Sequence, residues 1–119
     1  MLYSILIYDN EAVVDRHTEE QTRQQLGKHQ ALQDDLRRSG TLGPVARLMP
    51  STAAVTVRKG DAKPLVTDGP FAETKEQLVG FYLFDCCCLE EAIEKAAMLP
   101  LGSCSLEIRP VTWFDPGVR

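Results

Sequence analysis

The stretch Leu65-Val66-Thr67-Asp68-Gly69-Pro70-Phe71-Ala72-Glu73-Thr74-Lys75-Glu76-Gln77-Leu78 contains the corner from which this chain is best read. Leu65-Val66-Thr67, preceded by Pro64, reads as a short strand with proline at its first position, where no ladder donor is lost. Asp68-Gly69-Pro70 then breaks the strand. Aspartate can hydrogen-bond backbone further along, and glycine admits positive φ. Proline fixes φ near about −65° and pushes Gly69 out of the helical region. The expected product is a rigid corner presenting one carboxylate, Asp68, beside an aromatic, Phe71. The mixed-charge run Glu73-Thr74-Lys75-Glu76 reads as a solvated connection. Because they adjoin the corner, Glu73 and Thr74 are also candidate contacts for a ligand or across a dimer.

Outward from the corner, Ala53 to Val57 reads as a strand and Lys59-Gly60-Asp61 as a turn, so a hairpin leads into Asp68. On the other side, Leu78 to Phe84 is the most strand-like segment, with Phe81, Tyr82 and Phe84 close together. Gly40 to Pro50 reads as turn-prone. Tyr3 to Tyr8 is a β-rich run ended by the polar break Asp9-Asn10. From about Thr18 to Ser39 the pattern is helical: Thr18 is the expected N-cap, Glu19 and Glu20 suit the positive end of the dipole, and Gly40 stops it. Leu26, His29, Leu32 and Leu36 fall on one face. Gly27 weakens this helix by ~1 kcal/mol relative to alanine. A second helix is expected over about Leu89 to Leu99, ended by Pro100. Its buried stripe would be Leu89, Ala92, Ile93, Ala96 and Ala97, with Glu91 paired to Lys95 at i,i+4 on the wet side. Ser105 to Arg109 is the last strand. The order β-α-β-β(-β)-α-β predicts an α+β, ferredoxin-like split βαβ fold with an extra hairpin, as one domain over residues 1–119.

Composition narrows the function classes. With 119 residues, 44% hydrophobic and 25% charged, the chain has the size and make-up of one globular domain. A net charge of −4, with basic residues scattered, speaks against direct nucleic-acid binding. No window is apolar enough to span a bilayer, and the first residues read as a strand rather than a signal peptide, which predicts cytoplasmic residence with no membrane partner. The four cysteines, Cys86, Cys87, Cys88 and Cys104, lack zinc-site spacing. They read as small, partly buried side chains in a reducing compartment, with adjacent sulfurs turned to opposite faces. No phosphate loop, dinucleotide fingerprint or hydrolase elbow is present, so no cofactor and no metal are expected.

The fourteen residues from Leu65 to Leu78 resemble the defining motif of the DGPF branch of the YCII-related proteins. The likeness extends to Tyr3–Tyr8, to Gly80-Phe81-Tyr82-Leu83 and to Gly102–Val111, and so covers nearly the whole chain. It implies a ferredoxin-like fold whose subunits pack sheet to sheet as dimeric α/β barrels. It also implies a possible link to extracytoplasmic sigma factors, and, from a dehydrochlorinase of the wider group, a His–Asp pair. Two departures stand out: Val79 replaces a first glycine before Gly80, and Cys88 replaces a better helix cap such as aspartate.

The wider pattern places a histidine on the first helix, and His29 is the residue that matches. A histidine on an apolar stripe is ordinarily a satisfied core residue, and the Asp68 corner is ordinarily a turn that caps its own amides. The sharper reading makes the pair a site. Asp68 would raise the pKa of His29 and orient its ring for general acid–base work, Gly69 and Pro70 would hold the corner, and Phe71 would wall the pocket. Arg109 could pair with Asp9 or hold an anionic ligand group. Two functions remain open. One is a cofactor-independent lyase or isomerase moving a proton on a small cyclic or aromatic molecule. The other is a non-enzymatic homodimeric binding or regulatory domain, with a sigma factor as one partner.

Overall fold

The computed structural model describes residues 1–118. Strand β1 (Leu2–Asp9) leads into a short helix α1 (Glu11–Val14) and the long helix α2 (Glu19–Arg38). Then come β2 (Leu42–Arg47), a 3-10 turn (Ser51–Ala53), β3 (Val55–Arg58), β4 (Leu65–Asp68) and β5 (Gln77–Asp85). Helix α3 (Leu89–Ala96) and strand β6 (Ser105–Pro110) complete the chain. β2, β5, β1 and β6 form a four-stranded sheet in that order, with every neighbouring pair antiparallel. β3 and β4 form a separate two-stranded sheet. This mixed α+β architecture is compatible with the ferredoxin-like split βαβ pattern, the hairpin being inserted between its second and third strands.

Alternation along β1 and β5 decides which face is buried. Tyr3 and Ile5, with Tyr82 and Phe84, point to one side and form the core with Leu32 and Leu36 of α2, Ala92 and Ala96 of α3, Cys86 and Leu99. Helix α2 starts as its sequence predicts. Thr18 and Gln21 form a reciprocal capping box, and Gly40 follows Ser39 at φ +70°. Cys88 caps α3 without any side-chain hydrogen bond, as expected for cysteine in that position. No helix of the described residues is long and apolar enough to cross a membrane.

Four expectations are corrected. The segment read as turn-prone, Gly40 to Pro50, contains β2. Gly43 and Pro44 mask it, yet β2 is an edge strand, where proline is tolerated, and its register slips between Leu42 and Val45. A Cβ at Gly43 would lie 2.5 Å from the Leu83 carbonyl oxygen, so this glycine admits the partner strand. Leu26 is 55% exposed, because it is the one large apolar side chain in the first half of α2 and has no apolar neighbour on its own helix there. In α3, Leu89 and Ile93 are about half exposed and Ala97 is exposed, so the buried side narrows to Ala92 and Ala96. Lys95 binds Asp35 of α2 at 2.5 Å rather than Glu91, tying the two helices together.

Candidate functional site

The Asp-Gly-Pro corner is built by β3. Gly69 takes φ +94°, the left-handed region that its lack of a Cβ permits. Its N–H donates to Ala54 O at 2.7 Å, and its carbonyl accepts from Thr56 Oγ1 at 2.7 Å. One residue past Pro70, the Phe71 carbonyl accepts from Arg58 Nη2 at 2.5 Å. Three alternate residues, Ala54, Thr56 and Arg58, therefore hold the corner in place.

Behind the corner lies a hollow of about 240 Å³, whose lining includes Gly69, Pro70, Glu73 and Thr74, with Ser51 and Gln77 across from them. Its walls are cross-braced. Gln77 donates from Nε2 to Thr74 O at 2.6 Å and accepts the Glu11 N–H on Oε1 at 3.0 Å. The Glu11 carboxylate in turn accepts from the Ser51 N–H at 2.8 Å and from the Ser51 hydroxyl. Asn10 holds Glu11 in place by capping α1, its Oδ1 accepting from Ala12 N at 3.0 Å and Val13 N at 3.3 Å. Below, Glu76 accepts from Ser105 Oγ at 3.0 Å, connecting the loop to β6. A larger dent of about 360 Å³ lies within the Lys59–Lys63 turn at the hairpin tip, but one turn open to solvent makes all of it. The corner hollow joins two separate segments, 51–52 and 69–77, and is the better candidate.

Of the sequence-predicted residues, Gly69, Pro70, Glu73 and Thr74 come together at this hollow. Phe71 does not wall it; its side chain is 76% exposed. Arg109 lies on β6 and pairs with Glu107, while Asp9 accepts from Asn10 N and Ser103 Oγ, so these two do not pair with each other. Glu11, Ser51 and Gln77 went unrecognised in the sequence. Asn10 followed by Glu11 is a helix-start signal that could have found the first of them, and Gln77 lies within the Leu65–Leu78 motif; nothing local announces Ser51.

His29 and Asp68 are not brought together. Asp68 ends β4 with an exposed side chain that has no hydrogen-bond partner among the described residues. His29 sits on α2 above the other sheet, its Nδ1 2.8 Å from Tyr82 Oη and its ring stacked on Tyr82 at 5.8 Å between centroids. Gln33 Nε2 also donates to Tyr82 Oη, at 2.9 Å. With Gln33 donating, the hydroxyl still has its own proton to give, so the contact suits a neutral His29 that accepts on Nδ1. Electrostatics agree: burial first, and then the Arg47 charge, hold the His29 pKa below its ordinary value. A neighbouring carboxylate would have acted in the opposite sense. His29 is a satisfied residue at the edge of the core.

Two comparisons with known proteins bear on the chain. Residues 1–115 match the family described as YCII-related domain. The chain is also 44% identical over 120 residues to an uncharacterized protein of Rhizobium meliloti (strain 1021), an alignment covering 98% of this chain and 97% of the relative.

Proposed function

Given that the chain belongs to the YCII-related domain family, we propose that it is a binding domain whose working site is the hollow behind the Asp-Gly-Pro corner, and that it takes a small polar molecule there. The motif Leu65–Leu78 supports placing it in the DGPF branch of that family. The observation that carries the reading is the convergence of Gly69, Pro70, Glu73 and Thr74 on one braced concavity. At about 240 Å³ the hollow is smaller than the ~300–1,000 Å³ of drug-sized sites, which sets the scale of the ligand. Its lining is divided evenly between polar and apolar surface and offers the Thr52 hydroxyl, one carboxylate, Glu73, and the remaining bonding capacity of Ser51, Thr74 and Gln77, whose groups already brace the walls. A neutral or cationic polar molecule with both donors and acceptors fits that set best.

A proton-transfer enzyme acting through His29 and Asp68 loses its support, because His29 is bonded to Tyr82 over the main sheet while Asp68 stands exposed at the end of the separate hairpin. The carboxylate available for such chemistry at the hollow is Glu73. The binding reading is tested by amide-resolved NMR of the labelled protein against a library of small polar metabolites. Ligands should shift the amides of Ser51, Gly69, Glu73, Thr74 and Gln77 together, and Thr74→Val with Glu73→Gln should abolish the shifts. Ligands whose shifts cluster elsewhere, or survive the double substitution, would sink it.

The homodimer expected for the family also has a specific observation in its favour. Val55, Val57, Leu65 and Val66 on the β3–β4 hairpin are each more than half exposed. An isolated hairpin of four-residue strands is marginal by itself, and apolar surface of this density ordinarily meets a partner. Leu6, Phe81 and Leu83, which alternate with the core residues of β1 and β5, give the sheet's other face apolar side chains as well.

A further inference from the structure

A pair of touching thiols stands at the start of α3, outside the corner hollow. Cys87 Sγ lies 3.3 Å from Cys88 Sγ, and it donates to a Glu91 carboxylate oxygen at 3.0 Å. Adjacent residues in a strand would turn these sulfurs to opposite faces. β5 ends at Asp85, however, and the bend over Cys87 and Cys88 swings both sulfurs to one side. Cys87 is exposed, Cys88 half-buried, and neither is in a disulfide.

We propose that Cys87 and Cys88 form a vicinal-dithiol binding site for soft electrophiles that accept two sulfurs at a single atom, trivalent organoarsenicals being the chemical class. Geometry selects this chemistry over a direct disulfide. Neighbouring Cα atoms across a trans peptide are about 3.8 Å apart, below the roughly 4.4–6.8 Å that unstrained disulfides span. One bridging atom between the sulfurs relieves that mismatch, and thiol sulfur prefers soft acceptors.

Protonation sets the starting state. The hydrogen bond to Glu91, followed by the Cys88 contact, pushes the Cys87 thiol up to about 12, so at neutral pH it is a poor thiolate nucleophile. Condensation with an arsenoxide consumes thiols as such: R–As=O plus two R′–SH gives R–As(SR′)2 plus water. Two S–H bonds and the arsenic–oxygen bond break, and two As–S bonds form. Both protons leave with the oxygen, and arsenic stays trivalent. Glu91 is placed to take the Cys87 proton on its way to that oxygen. Cys86 is buried at 4% exposure and Cys104 donates to Pro100 O at 2.8 Å, so neither competes for the same atom.

The test is intact-mass spectrometry of the reduced protein with equimolar phenylarsine oxide. The expected result is a single adduct, a gain of one phenylarsine oxide less one water, on the peptide carrying Cys87 and Cys88. It should be stripped by excess dithiothreitol, be lost in Cys87→Ser and in Cys88→Ser, and persist in Cys104→Ser. Both serine variants should keep the wild-type circular dichroism spectrum, since Cys87 is exposed and the Cys88 side chain makes no cap bond. Absence of the adduct from the wild type, its persistence in folded Cys87→Ser, or its location on Cys86 or Cys104 would overturn the assignment.

Discussion

His29 shows how far a single residue can be read. Helical spacing put it on the face of α2 that meets the sheet, and there it lies. What stands across from it is Tyr82, a residue 53 positions away, and no local pattern encodes that. Its charge state has a measurable consequence. Unfolded histidine titrates near ~6.5, whereas burial and Arg47 hold folded His29 lower. Between those two values the unfolded chain binds the extra proton, so stability rises with pH across the window and is lost as pH falls through it from about 6.5. Urea midpoints of wild type and His29→Gln should therefore diverge below about pH 6.5, with the wild type falling more steeply; parallel curves would refute the neutral assignment. Tyr82→Phe, which leaves the Gln33 amide and His29 without their shared partner, should cost on the order of 1 kcal/mol in the same measurement.

At the scale of elements, legibility follows how self-contained each signal is. Helix α2 was readable because its cap, first-turn acids and stop residue all lie within its own sequence. Thr18→Ala should accordingly cost about 1 kcal/mol of stability by chemical denaturation. Strand β2 was not readable, since Gly43 and Pro44 deny it the β-branched alternation by which strands are recognised. Their role emerges only beside β5, where backbones crowd. Gly80 makes the matching point from the other side: a Cβ there would lie 2.6 Å from the Ala46 carbonyl oxygen. Gly80→Ala should cost roughly 1–3 kcal/mol through displacement of β2, seen as a lowered midpoint and faster amide exchange in Leu42–Arg47. The corner was legible as a turn for the same reason as α2, because Asp68, Gly69 and Pro70 specify it among themselves. The hollow behind it was not, for it needs Glu11 and Ser51 from two distant segments.

At the scale of the whole molecule, most strand segments and the hairpin pairing were visible, while the hairpin's separation from the main sheet was not. The run around Val55–Val57 and the run around Leu65–Thr67 are strands, yet they form their own sheet instead of extending the main one. Pattern gives a strand its two faces and says nothing of which neighbour it joins. The outcome is an elongated shape of 50 × 38 × 26 Å with a radius of gyration of 16.2 Å, against about 13.5 Å for a compact chain of this length. Light scattering at micromolar concentration should give the mass of two chains, and Val57→Asp with Val66→Asp should return it to one; a wild type of single-chain mass would remove the dimer.

The position of β1 also governs when this protein can fold. It is an inner strand of the sheet, and Tyr3 pairs with Phe84 on one side and Pro110 on the other. A growing chain must therefore carry this β-rich segment unpaired until β5 has been made, and with one edge open until β6 follows. The sheet cannot close before those late strands exist, and a fragment ending at Glu76 should be unstructured by circular dichroism.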